Sequence, residues 1–73
     1  MKMSEQQYRQ LQRRASRICS LILIEDYPAA EIAVERSLLR GEMADHHPDE
    51  LDLYDMIYEG RFERLWEQFR GKS

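Results

Sequence analysis

The densest set of side chains able to hold a metal or move a proton lies mid-chain: Glu42, Asp45, His46, His47, Asp49 and Glu50. Imidazole nitrogen and carboxylate oxygen suit zinc or another first-row ion, and Glu42 and His46 share one helix face. The spacing argues against such a site. There is no His-x-x-x-His and no Cys-x-x-Cys, and Cys19 falls in an apolar stripe far away in sequence. Two histidines ahead of Pro48 at a helix junction fit caps or solvated loop positions, so no metal or other cofactor is expected. Histidine titrates near neutrality, which leaves pH-sensitive local packing as a further use.

Nucleophilic chemistry has little to stand on. The glycines at 41, 60 and 71 are isolated, so no loop cradles a phosphate. No serine sits in an elbow motif or at a telling distance from a histidine. A thiol on an apolar helical face, as expected for Cys19, has a raised pKa and low reactivity. The many carboxylates fall where acidic helix starts are favoured by the helix dipole. The chain is therefore expected not to be an enzyme, and no small-molecule substrate is inferred.

Arginine supplies the other constellation. Arg9, Arg13 and Arg17 form a row at four-residue spacing, with Arg14 at its edge. Guanidinium forks pair well with phosphates, so this row is a possible nucleic-acid surface. Against that, Lys2 is the only lysine nearby and no aromatic side chain is interleaved for stacking on bases. A solvated face, or one paired with acidic groups of a neighbouring helix, is the favoured reading. A helix-turn-helix with its turn at Gly60 is opposed by Glu63 and Glu67, which on its second helix would face the phosphate backbone.

The elements that carry these groups read as helices throughout. Ser4 with Gln7 fits a capping box. Tyr8, Leu11, Ala15, Ile18 and Ile22, with Cys19, make one core-facing stripe, which predicts a first helix over about 5–24. Leu21, Leu23 and Ile24 project elsewhere, so that end is expected to be enclosed by other helices or a second subunit. Asp26 and Pro28 predict the start of a second helix over about 28–40, with Gly41 as its stop or Glu42 to Ala44 as an extension. Pro48 opens a third over about 49–58, and a fourth covers about 61–70. The last two are one kinked helix if Gly60 is interior. Tyr54, Tyr58, Phe62 and Trp66 then form a ridge, read first as core filling and second, with Phe69, as a partner-binding hot spot. The expected fold is all-α, a small bundle of three to four helices in a single domain, 1–73.

Seventy-three residues with one cysteine exclude an internal disulfide. Small domains commonly need a partner to supplement a marginal core. The most apolar run, Ile18 to Ile24, is far shorter than the roughly 18 residues a membrane span requires. With no leader recognisable, a cytoplasmic protein without membrane contact is expected.

Charge is segregated: residues 1–24 hold five basic groups against Glu5, residues 25–59 hold eleven acidic groups against Arg36 and Arg40, and the tail is again basic. That pattern suggests self-complementarity before it suggests nucleic acid. The second helix carries two apolar stripes, Tyr27, Ala30, Val34 and Leu38 on one side and Ile32, Leu39 and Met43 about 130° away. Two stripes mean burial on both sides or an interface. The expected function is therefore a small interaction or regulatory module binding a protein partner or itself, with Ile32, Leu39 and Met43 as the partner-binding residues. Nucleic-acid binding through Arg9, Arg13, Arg14 and Arg17 is the alternative.

Overall fold

The computed structural model describes residues 3–71; Lys2 of the basic N-terminal segment and Lys72 of the basic tail lie outside them. The described chain is helical, in the order α1 (Glu5–Leu23), α2 (Ala29–His46), a 3₁₀ turn (Pro48–Glu50), α3 (Leu51–Tyr54), a π-helical turn (Asp55–Glu59) and α4 (Gly60–Phe69). The last three follow without a break and form one kinked helix, so the molecule is a three-helix bundle.

α1 starts as the sequence predicts. Ser4 Oγ accepts from the Gln7 N–H at 3.1 Å and Gln7 Oε1 accepts from the Ser4 N–H at 2.9 Å, which satisfies two donors at the helix start. Leu11, Ala15, Ile18 and Ile22 point inward from it. Leu21, expected to project elsewhere, joins them, whereas Tyr8, Leu23 and Ile24 are exposed. The far end is tied by Arg70, whose guanidinium donates to the carbonyls of Ile22 and Tyr27, both at 2.8 Å, and of Ile24. The Ile22 carbonyl is one that a helix end leaves outside the helix ladder, while the Ile24 carbonyl also accepts from the Tyr27 N–H at 3.1 Å. Arg70 also stacks over Trp66, 5.3 Å from the ring centre, so one side chain joins the end of α4 to the turn between α1 and α2.

Two boundaries differ from expectation. Asp26 does not cap α2; Pro28 is the last residue before the helix, and no side chain caps it. Nor does Gly41 stop the helix: it keeps a negative φ, the alternative extension through Glu42 to Ala44 holds, and α2 continues to His46. His47 then closes it, donating its N–H to the Met43 carbonyl at 2.8 Å and accepting from the Glu50 N–H at 3.0 Å.

Gly60 lies inside the kinked helix at φ −60°, ψ −40°. That removes the turn a helix-turn-helix would need. The π turn widens the helix by one residue just before it, and brings Glu59 under Tyr54: the tyrosine hydroxyl donates to Glu59 Oε2 at 3.0 Å. Glu59 Oε1 accepts from Arg36 Nη2 at 2.8 Å, and Arg36 lies over the Phe62 ring. One turn away, Arg40 grips Asp55 with two bonds of 2.8 Å. Tyr54, Tyr58 and Phe62 are buried, as the core-filling reading expects, with Trp66 half-buried and Phe69 exposed.

The bonds from Arg40 hold the Asp55 carboxyl below its ordinary range. A depressed folded-state pKa stabilises above the unfolded value, and that stabilisation is lost as pH falls through the folded one. The melting temperature should therefore hold from neutrality down to about pH 4 and drop below it. Asp55→Asn should lower the neutral-pH melting temperature and flatten that acid limb, as thermal melts followed by circular dichroism would show.

Candidate interaction surface

The residues proposed from the sequence to bind a partner lie inside the single chain. Ile32 is 0 % exposed, and Leu39 and Met43 are buried with it among Leu11, Ile18, Ile22, Tyr54 and Phe62. They therefore cannot form a surface in the folded chain, and this corrects the expectation. The physical reason is in the charges that flank them. On one side Glu35 and Glu42 pair with Arg17 and Arg14 of α1, the second pair at 2.7 Å. On the other, Arg36 and Arg40 pair with Glu59 and Asp55. Ion pairs reaching in both directions turn the stripe between them toward both neighbouring helices. The edges of Leu39 and Met43 show only in the floor of an open depression of about 470 Å³ between α1 and α2, with Arg14 and Glu42 on its wall.

The opposite face of α2 is left exposed, as are Leu53, Met56 and Ile57 on the kinked helix. Ala30, Val34, Ser37, Leu38 and Gly41 are all exposed, with Val34 at 56 % and Leu38 at 59 %. At 100° per residue they form one stripe, free of charge along its length and bordered by Glu31 and Asp45. Beside Leu38 a notch of about 60 Å³ opens between α1 and α2, lined by Arg14, Arg17, Ile18 and Glu35. Gly41 adds a second signal. It is helical, and a Cβ built there meets nothing within 4 Å. Nothing inside the chain requires glycine, although glycine costs about 1 kcal/mol against alanine in a helix.

The arginine row is largely engaged by its own chain. Arg9 pairs with Glu5, Arg14 with Glu42 and Arg17 with Glu35; of the four, only Arg13 lacks an acidic partner among the described residues. A phosphate contact by Arg14 or Arg17 would have to compete with these pairs. His46 is exposed at the end of α2 and His47 is half-buried at the cap. Among the described residues no group of three His, Cys, Asp or Glu side chains is placed to hold a metal ion. Cys19 is half-buried beside α4, and burial pushes its thiol pKa up. No helix among the described residues is long and apolar enough to cross a membrane.

Comparison of the chain with protein-family models, curated proteins and solved structures returns no significant match.

The two stripes of α2 should respond oppositely to charge. Ile32→Asp places an unpaired carboxylate in the core and should unfold the domain, since such a burial costs several kcal/mol of a small total. Leu38→Asp in dilute solution should keep the helical spectrum and stay within about 1 kcal/mol of the parent in urea melts. Gly41→Ala should raise the melting temperature of dilute protein by roughly 4–8 °C.

Proposed function

We propose that this chain is a small protein-interaction module that binds a protein partner, or a copy of itself, through the exposed face of α2. The observation that carries the reading is the apolar stripe of Val34 and Leu38, held outward by a helix whose other apolar stripe already fills the core. Apolar groups in single file on a helix are the usual anchors for a docked helix or groove. The flanking Arg14–Glu42 and Arg17–Glu35 pairs supply a polar rim. Nothing of this kind accompanies the nucleic-acid alternative, which is left with Arg13 and with Arg9 on the solvent side of α1.

A photo-reactive amino acid replacing Leu38, in protein produced in its own cells, tests the reading. Irradiation should give covalent protein adducts, absent when the same group replaces Arg64, exposed on the side of α4 opposite buried Phe62. Adducts that vanish when Val34→Asp is added would support the α2 face as the contact. Adducts to nucleic acid, or none at position 38, would overturn it.

A further inference from the structure

We infer that the occupant of the α2 face is a second copy of this chain, related by a two-fold axis parallel to the helices, so that α1 of each copy lies over α2 of the other. The inference rests on reading that face as the interaction surface, and it names the partner.

Unpaired charge on the α1–α2 side of the molecule is the first ground. Arg14 and Arg17 are neutralised by Glu42 and Glu35 across the seam. What remains on α1 is positive: Arg13 has no acidic partner among the described residues, and Arg9 holds only Glu5 one turn back, with both side chains mostly exposed. What remains on α2 is negative: Glu31 and Asp45 are exposed and make no ion pair among the described residues. The seam thus shows an excess of positive charge on one helix and of negative charge on the next, with Val34 and Leu38 beside them.

Symmetry then chooses between arrangements. A two-fold axis makes each surface meet its own copy. With the axis along the helices, heights are kept and sides are exchanged. Because Arg14 pairs with Glu42, Arg9 and Arg13 stand at the height of the last turns of α2. The exchange therefore sets them against Asp45 of the second copy, a contact made twice. An axis across the helices would instead lay arginine row on arginine row and bring Glu31 onto Asp45. Like charges placed together oppose that arrangement.

Size sets the extent of the contact. The molecule measures 42 × 19 × 17 Å, so only an interface that uses most of a long side would approach the ~800 Å² per partner of a standard one. Ile24, half-exposed at the end of α1, lies at the height of the start of α2 and adds apolar area to that side.

Light scattering after gel filtration, over about 1 µM to 1 mM protein, should give twice the chain mass at the upper end. Leu38→Asp should give the single-chain mass with its helical spectrum kept. Arg13→Glu and Asp45→Arg should each weaken self-association by about tenfold. An equimolar mixture of these two variants should recover it, because every reversed charge then meets its complement across a mixed dimer. A single-chain mass throughout, alongside adducts of the position-38 probe to a different protein, would overturn the second copy and leave the interaction reading standing. A dimer lost with Leu38→Asp but indifferent to the two charge variants and their mixture would overturn the arrangement of α1 over α2.

Discussion

Arg36 and Glu59 make the contact on which the rest of the bundle depends. Their side chains are only 22 % and 18 % exposed, so neither charge could be left alone there without a desolvation penalty. Glu59 is held from two sides, by the Arg36 guanidinium and by the hydroxyl of buried Tyr54. Arg36 in turn covers Phe62. A single polar knot therefore fixes the height of α2 against the kinked helix and seals the aromatic core. Burial and the neighbouring Glu59 carboxylate push the Tyr54 hydroxyl well above its ordinary pKa, which keeps it protonated as a donor.

The π turn follows from that constraint. In a regular α-helix the neighbours of residue 54 along one face are 57 and 58, and Glu59 would be rotated away. One extra residue in the turn sets Glu59 beneath Tyr54, while Tyr54, Tyr58 and Phe62 still face inward. Asp55 then lies at the height of Arg40, so two acidic groups four residues apart meet two arginines four residues apart on the antiparallel α2. The kink also carries α4 along α1, where Arg70 reaches the turn that follows α1 and closes the bundle.

Much of this was legible in the residues, and the parts that were not share a cause. The capping box at Ser4, the stripe from Leu11 to Ile22 and the aromatic ridge all rest on interactions within one turn or one face, which spacing reports directly. The continuation of α2 past Gly41 and the π turn at Asp55–Glu59 depend on partners in other elements. Choosing between the stripes of α2 was the clearest case. By apolar content Val34 and Leu38 rival Ile32, Leu39 and Met43, so hydrophobicity leaves the choice open. The deciding signal was electrostatic and present in the chain: acidic Glu35 and Glu42 face basic α1, and Arg36 with Arg40 match the spacing of Asp55 with Glu59. Matched charges across two antiparallel pairs of helices mark the stripe between them as the interior one.

That same logic explains why the bundle is left with an apolar surface. Three helices enclose one core, and each needs one inward stripe. α2 has a second, because Val34 and Leu38 occupy positions where a solvated helix would carry Glu, Lys or Gln. Gly41 on the same face costs the helix stability without relieving any contact within the chain. Neither feature serves the isolated bundle, since exposed Leu and Val gain nothing in water and helical Gly loses against Ala. Both make sense on a face that another helix approaches closely. The charges obey the same division: those bordering the buried stripe are paired within the chain, while Glu31 and Asp45 beside the exposed one make no ion pair among the described residues.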